Sequence, residues 1–138
     1  MAQPARVPLT AEDARPRLQA ARESLLKLHR VLLNSERRTY ERAHGRIESS
    51  GQLLELVMRD AWFVWLRALS AVIVQMDELL ESEDDIVAAN AASLLGEAQK
   101  LLTPSADDPT FGQQYLEALQ RDPDVIVTHR EALLALRH

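Results

Sequence analysis

The 138-residue sequence contains no cysteine, only four glycines and only 4% aromatic residues. The lack of cysteine excludes a disulfide framework, thiolate catalysis and cysteine-ligated zinc. Few aromatics and glycines, with abundant alanine and leucine, favour helices packed through aliphatic side chains over a sheet. The sequence also lacks a glycine-rich nucleotide motif, an H-E-x-x-H zinc motif and a nucleophile elbow. We therefore expect no catalytic residue, no metal site and no cofactor.

A hydrophobic run long enough to span a bilayer is also missing. The most apolar stretch is AWFVWLRALSAVIVQM, residues 61–76, which carries one formal charge at Arg67. A membrane-spanning helix needs about 20 apolar residues, so this stretch predicts a buried central helix and no membrane partner. The N-terminal residues lack the apolar segment of a signal peptide, which makes a cytoplasmic location the default expectation.

The net charge of −5 hides an asymmetry between the two parts of the chain. Residues 1–46 hold ten basic and five acidic side chains, whereas residues 47–138 hold six basic and sixteen acidic ones. This split indicates either an electrostatic partner or pairing between the two parts of one fold. A nucleic-acid partner is not expected, because the overall charge is negative and no aromatic residues alternate with the arginines.

Hydrophobic residues recur with a helical period through most of the sequence. In the first helix they form a stripe at alternating spacings of three and four, from Leu18 to Leu32. The predicted helices cover about 10–43, 49–81, 82–102, 110–120 and 124–137, with a break before Trp62 left open. The predicted fold is all-α: an antiparallel bundle of three long helices with two shorter C-terminal helices. Residues 10–138 form one domain, and residues 1–9 a flexible arm.

Four helix starts carry capping signals. Thr10 and Ser49 are each followed three residues later by an acidic or amide residue, the pattern of a capping box. Asp108 and Asp122 each precede a proline, which suits the first position of a helix. The acidic run at 82–85 suits the N-terminus of the third helix, because carboxylates favour the positive end of the helix dipole.

A polar site is predicted between the first two helices. Antiparallel pairing about a turn near residue 48 places Glu36 opposite Asp60, with Arg67 as a counter-charge on the same face. Tyr40 and His44 follow Glu36 along the inward side of the first helix. Carboxylates held together are typical of functional sites. The alternative is that Glu36 pairs with an arginine or with Tyr40 at the polar end of the bundle.

His44 also completes an E-x-x-H string with Glu41, which is half of the motif found in di-iron bundles. That chemistry requires a second E-x-x-H and two more inward glutamates, and this sequence offers no second copy. We therefore predict no metal ligand at this string.

Three arginines lie four residues apart at the end of the first helix, at Arg38, Arg42 and Arg46. Such a strip predicts an anion-binding site or a docking surface for an acidic protein, unless it is a solvated face with local salt bridges. At the other end of the bundle, the same antiparallel register brings the acidic stretch 77–85 near the arginines of residues 15–22. Pairing within the chain is the expected role of those charges.

The central helix is apolar around most of its circumference. Trp62, Phe63 and Trp65 span well over half of it, and tryptophan is enriched at the centre of protein interfaces. Either the two C-terminal helices or a second copy of the chain must cover the excess apolar surface. The leading hypothesis is a non-enzymatic helical interaction protein that forms a homodimer through the central helix, or that binds another protein. The alternative is a small-molecule or metal-binding bundle, potentially enzymatic, with its site between helices 1 and 2.

The stretches LHRVLLNSERRTYERAHGRI and LLELVMRDAWFVWLRALSAVIVQMDE cover most of the first two predicted helices. They resemble small uncharacterised bacterial proteins of about this length. The resemblance implies no activity, and no site residue can be carried over from it.

Overall fold

A computed structural model describes residues 9–137 of the chain. These residues form an all-helical fold, as predicted, and none of them lies in a strand. The helices are α1 (Ala11–His44), α2 (Ser50–Arg59), α3 (Arg67–Glu81), α4 (Ala88–Leu101), α5 (Gly112–Arg121) and α6 (Pro123–Leu136), with one 3-10 turn at Val64–Leu66. Within the described part, no helix is long and apolar enough to cross a membrane. The arm predicted at 1–9 lies outside the described residues except for Leu9, which packs against the core.

The first helix, α1, is the centre of the fold. The Thr10 hydroxyl accepts a hydrogen bond from the Asp13 N–H at 3.3 Å, which caps the N-terminus of the helix. Pro16 lies near the start of the helix, where a missing N–H disturbs the hydrogen-bond ladder least. The helix ends at Gly45, whose φ of 94° is a conformation that suits glycine. Eight side chains of α1 are buried.

Two helices, α3 and α6, pack along α1. On α3, Asp77 pairs with Arg22, and the Ser70 hydroxyl lies 2.9 Å from Nε2 of His29. The partners on α3 therefore follow in the opposite order to those on α1. The ion pair from Lys27 to Glu131 and the contact from Arg38 to Asp122 place α6 along α1 in the same opposite sense. α4 packs against α1, α3 and α6 and completes the core.

Within residues 9–137 the predicted central helix is two helices, and there are six α-helices where five were expected. α2 ends at Arg59 and α3 begins at Arg67. The next helix also starts later than expected, at Ala88, because the chain becomes extended at Ser82 (φ −63°, ψ 132°). The acidic run at 82–85 therefore lies before α4 and does not form its first turn, so that prediction was wrong.

The two aspartate–proline signals have different outcomes. Asp122 caps α6 as predicted: its carboxylate accepts from the Asp124 N–H at 3.0 Å, and proline occupies the first turn. Asp108 lies four residues before α5 and caps the preceding turn instead. The Thr110 hydroxyl, at 2.7 Å, and the backbone N–H groups of Thr110 and Gly112 lower the pKa of Asp108 to about 2.

Candidate functional site

The break between α2 and α3 determines where the two tryptophans lie. The Asp60 carboxylate accepts from the Trp62 N–H at 2.8 Å, and the chain then forms a single 3-10 turn. The Arg67 guanidinium donates to the carbonyl of Met58 at the C-terminal end of α2, where a cation is favourable. Asp60 and Arg67 therefore make backbone hydrogen bonds that shape the break.

Trp62 packs against the end of α1. Its ring meets Tyr40 edge-on at a centroid distance of 5.7 Å and His44 edge-on at 5.4 Å. The ring centroid of Tyr40 also lies 5.5 Å from that of Phe63 and 4.7 Å from that of His44. These distances are within the range of favourable aromatic pairs. Two residues of the predicted polar site, Tyr40 and His44, thus belong to an aromatic cluster around Trp62.

A cleft of about 370 Å³ lies between α1, the break and α5. Eight residues from these three elements line it: Glu36, Thr39, Ala61, Trp62, Trp65, Gln114, Glu117 and Arg121. We call this space the Glu36 cleft. Of the predicted binding residues, Glu36 alone lines it, together with two of the predicted interface aromatics.

Glu36 is paired inside this cleft. Its Oε1 accepts from Nη2 of Arg121 at 2.9 Å, and the Arg121 guanidinium also donates to the Ser35 hydroxyl at 3.1 and 3.3 Å. The Glu36 side chain is only 8% exposed and that of Arg121 28% exposed. The carboxylates of Glu36 and Asp60 therefore do not pair with each other. Glu36 pairs with an arginine, which was the alternative to the predicted polar site.

Two buried polar atoms on cleft residues have no hydrogen-bond partner. They are the indole Nε1 of Trp62, a donor, and Oε1 of Gln114, an acceptor. The Gln114 amide nitrogen donates to the carbonyl of Pro109 at 3.3 Å, which assigns the unpaired atom as the oxygen. Buried polar groups in folded proteins are paired in the great majority of cases. Both atoms are buried, so in this structure they are unpaired but not open to the space of the cleft.

The predicted interface aromatics lie mostly inside the fold. Phe63 is fully buried, Trp65 is buried against Phe111 with ring centroids 5.4 Å apart, and Trp62 is half-buried. The C-terminal part of the chain thus covers the face of Trp65, which was one of the two alternatives. Phe63 and Trp65 are not exposed as anchors in this fold.

Part of the uncovered apolar surface lies on α2. Exposed large apolar residues outside α2 are Val64, Val74, Val87, Ile126, Val127 and Leu134. None of the ten residues of α2 is buried, although five of them are large and apolar. Leu54 is 59% exposed and Met58 54% exposed, and they lie one helical turn apart. Leu53, Leu56 and Val57 are half-buried against the core. We call the surface formed by Leu54 and Met58 the α2 face.

The predicted arginine strip is divided by the end of α1. Arg38 pairs with the buried carboxylate of Asp122, which joins α1 to the start of α6. Arg42 lies in the last turn of α1 with an exposed side chain, and Arg46 follows the helix end at Gly45. The i, i+4, i+8 spacing thus does not continue on one helical face to Arg46.

Two further histidines, His29 and His129, are held by hydroxyl groups. His29 meets Ser70 as described above, and Nδ1 of His129 lies 2.6 Å from the Tyr115 hydroxyl. Burial lowers the pKa of both histidines below 6.5 and raises that of Tyr115. Residues 9–137 contain no group of three histidine or acidic side chains that could hold a metal ion.

Sequence reasoning missed Gln114, Glu117 and Arg121, because the position of α5 was not determined. Their spacing of three and four residues before the Asp122 cap was an available signal, since it puts all three on one face of that helix. The apolar string LLELVM falls within the second predicted helix, and the sequence pattern does not show that this part of the helix is exposed.

No protein-family model matches this sequence, and no curated protein or solved structure matches it significantly.

Proposed function

We propose that the chain is a non-enzymatic helical interaction protein that self-associates through the α2 face. The supporting observation is that α2, the first part of the predicted central helix, has no buried residue while Leu54 and Met58 are both more than half exposed. Large exposed apolar residues grouped on one face are typical of interaction sites. The rest of the chain, which we propose to be an antiparallel bundle, serves as the scaffold that presents this helix.

A second copy of the chain fits the α2 face because the helix is self-complementary. A two-fold interface brings residue i of one copy to residue j of the other, and j to i. Two α2 helices packed antiparallel about Leu56 would bring Leu54 of each copy to Met58 of the other. Glu55 and Arg59, which pair at 3.3 Å within one helix, lie beside this contact with opposite charges. The two-fold arrangement therefore matches the apolar groups of the two copies.

The association is expected to be weak. Ten helical residues extend about 15 Å, and stable interfaces bury about 1,200 to 2,000 Å² in total. The α2 face is small by that measure, so we propose a dimer that forms at tens to hundreds of micromolar, about the affinity of transient complexes. The expected cytoplasmic location stays a prediction.

Sedimentation velocity from 10 to 500 µM tests this proposal on three proteins: the wild type, Leu54→Glu and Leu134→Glu. Leu134 is the matched control, since it is 66% exposed on α6 and its replacement by glutamate adds the same charge. We expect the wild type and Leu134→Glu to sediment faster as concentration rises, and Leu54→Glu to stay monomeric. A wild type that is monomeric at 500 µM, or equal loss in both variants, would contradict the proposal.

A further inference from the structure

The α2 face carries the exposed one of the two methionines in residues 9–137. Met58 is 54% exposed, whereas Met76 in α3 is buried, with 0% of its surface exposed. The chain has three methionines in all and no cysteine. The third methionine, Met1, lies outside the described residues. An oxidant that reacts with sulfur therefore meets the α2 face before it meets the core, and no thiol of this chain competes for it.

Peroxides oxidise an accessible thioether to a sulfoxide. The sulfur lone pair attacks one oxygen of the peroxide, the O–O bond breaks, and a sulfur–oxygen bond forms. Sulfur is oxidised by two electrons, and the second oxygen of hydrogen peroxide leaves as water. The product replaces a flexible apolar side chain with a polar one. At Met58 the reaction would therefore change the chemical character of the α2 face.

A sulfoxide at Met58 is unfavourable in the proposed two-fold contact. There the Met58 side chain of each copy lies against Leu54 of the other, and a leucine side chain offers no hydrogen-bond donor. Burying a polar group without a hydrogen-bond partner costs free energy. The two-fold symmetry repeats that cost at both ends of the contact. One oxidised methionine in each chain thus opposes association twice.

The monomer carries no comparable cost. Because the Met58 side chain is more than half exposed, its sulfoxide oxygen stays in contact with water. The bond that holds the end of α2 to the start of α3 runs from the Arg67 guanidinium to the backbone carbonyl of Met58 and does not involve the sulfur. Oxidation should therefore change association and leave the fold in place.

On the basis of the self-association proposed above, we propose that Met58 is an oxidation site that controls it. A peroxide converts the Met58 thioether to the sulfoxide, and the two copies separate. A thiol-dependent sulfoxide reductase reverses the step: two thiols are oxidised to a disulfide, the oxygen leaves as water, and the thioether returns. The α2 face thus converts exposure to peroxide into a change of oligomeric state.

Sedimentation velocity from 10 to 500 µM, before and after treatment with hydrogen peroxide, tests this on the full chain. Peptide mass spectrometry measures the oxygen added at each methionine. We expect the wild type to gain oxygen at Met58 and not at Met76, and its dimer dissociation constant to rise at least tenfold. The circular dichroism spectrum should not change.

Three variants assign the effect to Met58. Met58→Leu keeps an apolar side chain that peroxide does not oxidise, so its association should be the same before and after treatment. Met76→Leu is the matched control, because it removes the buried methionine and should respond to peroxide as the wild type does. Met58→Gln places a polar side chain of similar length on the α2 face and should lose association without any peroxide.

The rate of oxidation supplies a second readout. If a second copy covers Met58, only the monomer reacts, and mass action makes oxidation of Met58 about two to four times slower at 500 µM than at 5 µM protein. Peroxide is kept in large excess at both concentrations. N-acetylmethionine in the same solution is the control, and its oxidation rate should not depend on protein concentration.

The outcomes separate this site from the self-association on which it rests. An untreated wild type that is monomeric at 500 µM rejects both. A wild type that dimerises equally well before and after complete oxidation of Met58 rejects the oxidation site alone. Loss of association in peroxide-treated Met58→Leu, or loss of the helical circular dichroism signal in the treated wild type, likewise rejects it, because peroxide would then act elsewhere in the chain or on the fold.

Discussion

α1 and α2 carry similar local sequence signals, but α1 is buried in the fold and α2 is not. Both begin at a hydroxyl N-cap, Thr10 and Ser49, and both carry apolar residues at helical spacing. α1 buries eight side chains between α3, α4 and α6, whereas α2 buries none and contacts mainly the 3-10 turn that follows the break. A local pattern thus determines that a helix forms, and the elements packed against it determine whether its apolar face is covered.

The largest effect on stability is expected when one leucine on each helix is truncated to alanine, which tests this comparison directly. Leu25→Ala removes a fully buried side chain from α1 and should lower the free energy of unfolding by about 2 to 5 kcal/mol. Leu54→Ala removes an exposed side chain from α2 and should change it by no more than about 0.5 kcal/mol at low protein concentration. Urea denaturation at about 1 µM measures both, and similar losses would mean that α2 is packed in the monomer.

A second pair of substitutions extends the comparison to two helical glycines. A Cβ at Gly112, the first residue of α5, would lie 2.2 Å from the carbonyl oxygen of Ser105, so backbone would have to move. Gly112→Ala should therefore lower the free energy of unfolding by about 1 to 3 kcal/mol.

Gly96 in α4 is the matched control. A Cβ there meets nothing within 4 Å. Because alanine favours a helix over glycine, Gly96→Ala should raise the free energy of unfolding by about 0.5 to 1 kcal/mol. Urea denaturation measures both variants, and a neutral Gly112→Ala would contradict the close packing of α5 on the loop at Ser105.

The smallest expected effect is a pH dependence that arises in the packed part of the molecule. Burial lowers the pKa of His29 and His129, so below pH 6.5 the unfolded chain binds more protons than the folded one. Their contribution to stability is complete above about pH 6.5 and is lost as the pH falls below that value. The melting temperature should therefore decrease between pH 7 and pH 5.

Replacing each histidine by glutamine shows which imidazole causes this pH dependence. His29→Gln or His129→Gln should flatten the decrease in melting temperature, because the titrating imidazole is gone. His44→Gln serves as the control, since the His44 side chain is exposed at the end of α1. A slope that is unchanged in both buried-histidine variants would assign the pH dependence to other groups.

Local physics explains which features could be predicted. The stripe of α1 and the capping of α6 by Asp122 depend on residues within one or two turns, and both were visible in the sequence. The extent of the break after α2 depends on the carboxylate of Asp60 binding the Trp62 N–H and on Arg67 binding the carbonyl of Met58. A break there was foreseen as an open alternative, but its length was not.

The composition of the cleft could not be predicted, because it depends on contacts between distant residues. Glu36 and Arg121 are 85 positions apart, and the antiparallel register used for the first two helices contained no information on α5. The unpaired atoms of Trp62 and Gln114 follow from the same packing. The burial of Phe63 and Trp65 likewise required knowing where the chain from Phe111 onward lies.

The monomer leaves α2 without a buried residue, and we propose that a second copy of the chain covers its exposed face. Amide hydrogen exchange of α1 and α2, compared at 5 µM and 500 µM, measures this for each helix separately. We predict that exchange of Ser50–Arg59 slows at the higher concentration while exchange of the buried part of α1 is unchanged. Exchange of α2 that is independent of concentration would contradict the claim.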